Sequence, residues 1–404
     1  MDSGHTAWML TASALVLLMT PGLAFFYGGL VRARNVISTL MYSFMAMAVV
    51  SVVWVLWGYS LAFGEGSAFI GDLSFFGLSG IDVNDTDNGI PTLLFVIFQM
   101  MFAIITPALI TGAFVERFKF TTYLVFVVVW VTIVYAPVAH WVWGGGWIGD
   151  FGDGALDFAG GTVVHINAGV AAVAAALLVG KRRDPGAEPH NVPYVILGAA
   201  LLWFGWFGFN AGSGLAADGV DVNAFLVTNT AAAAAALTWG VISQIQTGRM
   251  SAVGVASGAV AGLVAITPAS GYVGVYGALA IGAGAGLLCY IAVYLRTKVP
   301  VDDALEVFAV HGIGGIWGAI ATGIFAVAAI GGTAGLIDGN AGQMVTQVVA
   351  VIATIVYSFV VTLVILKVLD LIPGLGIRVS EDDEDVGLDL SAHGERAFVS
   401  DGAD

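Results

Sequence analysis

Charge is scarce in this chain of 404 residues: only 10% are Asp, Glu, Lys or Arg, while 59% are hydrophobic. A soluble domain carries about 25% charged residues, so an ordinary water-covered surface is excluded. Cysteine is nearly absent too. The single Cys289 lies in an apolar stretch, which rules out a disulfide framework and a CxxC metal site. The short alternating segments of a transmembrane β-barrel are missing. No basic run precedes the first apolar segment, so Met1–Thr6 is expected to lead into a retained first span and not a cleaved signal peptide. Glycine is abundant, with 55 residues, and it accompanies long Ala and Val runs. Such small residues let helices approach closely in lipid. The class that remains is an all-α membrane protein.

The apolar runs reach about 20 residues, the length a helix needs to cross the hydrocarbon core. Read in order they give about eleven transmembrane helices. These are expected near 7–31, 37–63, 91–114, 120–140, 160–180, 192–212, 223–246, 251–267, 274–295, 305–329 and 342–369. On that layout all 13 Lys and Arg fall on one side, from Arg32 through Arg117, Lys181, Arg249 and Arg296 to Lys367 and the tail. The opposite loops hold acidic residues, among them Glu65, Asp72, Asp82, Asp150 and Asp218, and no cation. By the positive-inside rule the N-terminus is outside and the C-terminus cytoplasmic. The division expected is a transporter domain over 1–370 and a cytoplasmic tail over 371–404. The net charge of -15 reads as a solvated acidic surface, or else as an outer face that concentrates cations.

Ionisable groups deep in spans mark functional cavities. With span-end residues such as His140, Glu306 and Lys367 set aside, two remain: His165 and His311. Their settings match. Asp157 precedes His165 by eight residues, and Asp303 precedes His311 by eight. A valine comes before each histidine and a glycine follows four positions on, Gly169 and Gly315. The two spans run in opposite directions, and eight helical residues rise about 12 Å, toward the middle of a core about 30 Å thick. This is the pattern of two inverted five-helix repeats with a working site at their interface, plus one extra helix. Asp157 and Asp303 are structural supports that cap their helix starts. A haem or metal held between the histidines is the weaker option, since no other carboxylate or thiolate has metal spacing. No cofactor and no metal are therefore expected.

Four stretches carry a family resemblance: Phe26-Tyr27-Gly28-Gly29 at the end of the first span, Asp157 through His165 to Gly169, Trp206-Phe207-Gly208-Phe209-Asn210-Ala211-Gly212-Ser213, and Asp302-Asp303 leading to His311. Together they resemble the Amt/Mep/Rh ammonium transporters, Amt branch. The resemblance implies an eleven-span homotrimer with a pore in each subunit, and no enzymatic activity. It implies an outer vestibule where Trp143, Phe102 and Ser213 bind ammonium, with Phe98 beside Phe102. It also implies a pore passing the rings of Phe102 and Phe209, then Trp206 and the twin histidines His165 and His311, through which neutral ammonia crosses. The tail, with Arg378, Gly387, Asp389 and His393, resembles the segment on which a PII-type signalling protein docks. Phe398 departs from the tyrosine common there. A sensor built on the same fold would be favoured by a long signalling domain after the last span.

Overall fold

The computed structural model describes residues 1–87, 89–186 and 188–398. Ten of its helices are long and apolar enough to cross a membrane, and an eleventh apolar helix is shorter. We number them α1 Ser3–Leu30, α2 Ala33–Phe63, α3 Thr92–Ala113, α4 Phe120–Trp143, α5 Gly161–Val179, α6 Val192–Gly214, α7 Gly219–Thr247, α8 Ala252–Ile266, α9 Val275–Arg296, α10 Phe308–Phe325 and α11 Gly342–Leu371. Among the described residues the only strand pairing of any length is Thr86–Asp87 against Ile90–Pro91. An all-helical membrane fold is what lipid demands, because each helix satisfies its own backbone groups.

The loops sort into two ends. At the basic end, Glu116 accepts hydrogen bonds from the Arg32 amide, the Asn35 side chain and Arg182 at 2.9, 3.1 and 3.1 Å. Arg182 in turn grips Asp302 through two nitrogens, each 2.9 Å from a carboxylate oxygen. Arg117 reaches the Asp302 carbonyl at 2.6 Å. These charges are buried, with Glu116 1% and Arg117 0% exposed, so each must be paired to be tolerated. The loops after α1, α3, α5 and α9 thus meet in one cluster. The tail docks on it. Val379 N–H donates to the Arg117 carbonyl at 3.1 Å and Arg378 bonds Glu384 at 2.7 Å, while Asp389 accepts from the Ser38 amide at 2.8 Å.

Inside the bundle, α5 and α10 cross in opposite directions at their closest point. A Cβ placed on Gly169 would lie 2.3 Å from the Gly312 nitrogen, so only glycine lets the two backbones touch here. Both helices open with a π turn, Gly161–Ile166 and Phe308–Gly312, and each turn contains a histidine. One extra residue in a turn swings the following side chains by about 100°.

The eight helical residues expected between each aspartate and its histidine are not found. The α5 helix starts at Gly161 after Gly160 at φ 112, and α10 starts at Phe308 after Glu306 at φ 62. Each chain bends sharply there because the aspartate folds back onto the helix start. Asp157 accepts from the amides of Gly160, Thr162 and Val163 at 3.0, 2.9 and 3.2 Å, and Asp303 from Phe308 at 2.7 Å. A capping loop replaces the first turns of a regular helix.

Two outcomes follow from this packing. Gly169→Ala forces the α5 and α10 backbones apart and should destabilise the fold by about 1–3 kcal/mol, measured as a lower thermal unfolding midpoint in mild detergent. The second concerns acid. Burial pushes the Asp302 carboxyl up, but Arg182 and then Arg117 outweigh it and hold the group down at about 2 from an ordinary 3.8. The stability it contributes is complete above about pH 4 and lost as pH falls toward 2. Asp302→Asn should flatten that part of the acid unfolding curve.

Candidate functional site

The deep histidines of α5 and α10 are brought together. Their Nδ1 atoms face each other at 3.3 Å, and both rings are buried. That spacing suits a hydrogen bond in which one ring donates and the other accepts. The His165 and His311 rings lie nearly parallel, with centroids 5.4 Å apart. The Trp206 indole flanks His165 at 5.4 Å and 21° between planes, and it is held by its own Nε1, which donates to Thr267 Oγ1 at 2.8 Å.

Toward the acidic end the aromatic rings stack in series. Phe209 lies 6.0 Å from His165, and Phe102 lies 4.2 Å from Phe209. Phe98 packs edge-on to Phe102 at 4.9 Å and is fully buried. The Trp143 ring stands at 88° to Phe102 with centroids 6.0 Å apart, and it is only half-buried. Its Nε1 donates to the Asp157 carbonyl at 2.8 Å. Ser213 gives its hydroxyl proton to the Phe209 carbonyl at 2.8 Å, which leaves its oxygen lone pairs for another donor. Eight of the residues singled out in the sequence therefore form one connected column, with Asp157 bracing it at Trp143 and Asp303 capping α10 apart from it. Trp143 and Ser213 are at its acidic mouth, the phenylalanines below them, and the imidazoles at the centre.

A narrow cavity lined by Phe209, Trp206, His165, His311 and aliphatic side chains has about 10 Å³ of free space, on the order of a single water molecule. His311 also lines a far wider cavity of about 730 Å³ opening at the basic end, with Tyr27, Arg182, Arg296 and Glu306 on its wall. Burial pushes the Glu306 carboxyl up to about 7, although its partner Arg296 opposes this. The column is closed on one side by the stacked Phe102 and Phe209 rings, holds a narrow void beside the two imidazoles, and meets the wide cavity at His311.

Three features were not singled out in the sequence. His140 was set aside as a span-end residue. It is 0% exposed, its two ring nitrogens lie 3.0 and 2.7 Å from the carbonyls of Ala62 and Ser67, and it anchors the loop after α2 one helical turn from Trp143. The spacing of His140 and Trp143 on one helix was the available signal. Glu116 drew no reading from the sequence, because its burial depends on Arg182, distant in the chain. The π turns leave no compositional trace.

Comparison with known proteins identifies the family. The model of the Ammonium Transporter Family matches residues 7–398. The chain is 51% identical to the Ammonium transporter of Bacillus subtilis (strain 168) over 98% of this chain and 99% of that one. It is 48% identical to Ammonium transporter Amt1 of Archaeoglobus fulgidus over 99% and 100%. Among solved structures, Saccharomyces cerevisiae Mep2 aligns with a TM-score of 0.88 at 39% identity, covering 95% of this chain and 88% of the other. A protein described as Sensor Amt Protein aligns with a TM-score of 0.89 at 31% identity, over 96% and 98%. A multi-pass helical bundle with this column at its centre, matched along almost its full length, is a member of the ammonium transporter family.

Proposed function

We propose that this protein is an ammonium transporter that recruits the ammonium ion at its acidic end and conducts neutral ammonia past the paired histidines. The contact of His165 with His311 at 3.3 Å, inside an apolar column roofed by aromatic rings, is the observation that carries this reading. On it the half-buried Trp143 offers an aromatic face to the cation, worth about 0.5–2 kcal/mol. Ser213 accepts one ammonium proton, while Phe102, backed by Phe98, closes the floor. These contacts cannot offset the cost of a full charge in hydrocarbon. The ion hands its proton to water at the mouth, which keeps it there or passes it on by a separate route, and ammonia passes Phe209 and Trp206 along the imidazoles. Potassium has no proton to leave, so it is rejected. Transport is the whole activity, with no covalent catalysis and no cofactor.

The segregation of loop charge supports an orientation with the N-terminus outside and the C-terminus cytoplasmic. The matched aspartate–histidine helices, running in opposite directions and touching at Gly169 and Gly312, support two inverted five-helix halves, with α11 as an addition. We read 1–370 as the transporter domain and 371–404 as a cytoplasmic regulatory tail, of which 399–404 lie outside the described residues. Its contacts with the loops that carry Asn35, Arg117 and Arg183 support a regulatory role, with a PII-type signalling protein as the partner. Homotrimeric assembly with one pore per subunit completes the reading.

Two measurements in liposomes test it. Trp143→Leu keeps apolar bulk but removes the ring's negative face, so ammonium should lose about 2- to 30-fold of its advantage over competing cations while the fold survives. Unchanged competition would remove Trp143 from the binding site. His165→Ala and His311→Ala each leave the partner's polar atom unpaired in an apolar channel, at about 1–3 kcal/mol. Ammonium flux should fall or potassium should leak. Wild-type flux with full potassium exclusion in both variants would make the histidines packing residues and end this mechanism.

A further inference from the structure

The α11 helix stands outside the matched pair of halves, yet its inward face is not the apolar surface that simple packing would use. Val348, Ile352, Val356 and Val360 are exposed on one side, while Gln343, Gln347, Ser358 and Thr362 are buried on the other. A buried amide is tolerated only when its hydrogen bonds are made, so the partners of these side chains report what the face holds.

Gln347 is 1% exposed, and both ends of its amide are engaged. Its Oε1 accepts from the Leu156 N–H at 2.7 Å, and its Nε2 donates to the Leu156 carbonyl at 2.9 Å. The side chain thus pairs with Leu156 as a neighbouring strand would. The same Nε2 donates to the Ala319 carbonyl on α10 at 2.9 Å, two helical turns beyond His311. Gln343 extends the brace through Nε2, 2.9 Å from the Gly154 carbonyl. Leu156 has no secondary-structure partner of its own, and the next residue is Asp157. The Asp157 carbonyl fixes the Trp143 ring, and its carboxylate caps α5. One amide therefore holds the peptide beside Asp157 and ties it to the helix carrying the other histidine.

We propose that Gln347 is a positioning residue for ammonium recruitment: by clamping the Leu156 peptide it sets the Asp157 carbonyl that orients Trp143. This rests on the reading of Trp143 as the cation-binding face. Without the amide, the Leu156 N–H and carbonyl are left unpaired in a buried place and the segment turns to find other partners. The Trp143 ring then loses its fixed angle, while the histidine column, held by Gly169 and Gly312, keeps its shape.

The test compares four variants of the full chain in liposomes by ammonium uptake against concentration: Trp143→Leu, Gln347→Met, Gln347→Glu and the double variant Trp143→Leu/Gln347→Met. Methionine has similar length and no hydrogen bonds. Glutamate keeps the acceptor for the Leu156 N–H and turns the donor into a group facing two carbonyls. Both single Gln347 changes should raise the half-saturating concentration about three- to tenfold, with the maximal rate within about twofold. In the Trp143→Leu background the methionine change should add less than about twofold, because its effect passes through the ring. An unchanged half-saturating concentration overturns the proposal. So does an equal factor in both backgrounds, which marks a general loosening of the fold. If Gln347→Met fails to assemble, Gln347→Glu and its double variant with Trp143→Leu are judged by the same criteria. If Trp143→Leu alone has no effect, the vestibule reading fails and this inference falls with it, a result distinct from a silent Gln347.

Discussion

The α5–α10 crossing is possible only because Gly169 has no side chain where it meets the Gly312 backbone, and the central column depends on it. With a Cβ there the helices would separate, and the imidazoles, already at 3.3 Å, would lose their shared hydrogen bond. The π turns finish the job begun by the glycines, because they rotate each histidine into the gap between helices. Aspartates at both helix starts replace the first regular turns, so each histidine is held from a fixed, capped end. Packing and polar satisfaction point the same way here, as expected of a site that must hold its geometry in an apolar medium.

Charge is managed by separation. Among the described residues no carboxylate, ammonium or guanidinium lines the void beside the two imidazoles, while the strong ion pairs sit at the basic end, where Arg182 links Glu116 to Asp302. That cluster gathers four loops and the tail into one body. Burying so many charges is tolerable only because each finds an opposite charge and fixed hydrogen bonds. Removing one would leave its partner bare. The wide cavity opens beside this cluster, with Arg182 on its wall, and the next residue, Arg183, donates its amide to Glu384 of the tail. On the proposed reading this gives a partner at the tail a short physical route to the pore.

How much of this was legible in the chain follows from the range of each signal. Span number came from local runs of apolar residues, and the sorting of Lys and Arg to one end from the loops between them, both readable one segment at a time. The aspartate–histidine spacing, repeated in α5 and α10, pointed to a paired site because a periodic pattern in two places is rarely chance. The aromatic members were reached through the family resemblance, since a phenylalanine in a membrane span is ordinary core when read alone. The helix starts were misjudged because Gly160 and Glu306 take left-handed conformations, which depend on what the neighbouring aspartate can reach.

The sequence by itself determined an all-helical chain with about eleven spans, the sorting of charge to its two ends, and the pairing of two deep histidines. Those properties follow from hydrophobicity and helix period, which act over a few turns. The tertiary structure alone decided the touching of α5 and α10, the ring-by-ring order of the column, the anchoring by His140 and the Gln347 brace. These rest on contacts between residues far apart in the chain, such as Leu156 with Gln347. No local rule specifies such contacts, because their energy exists only once both helices are in place.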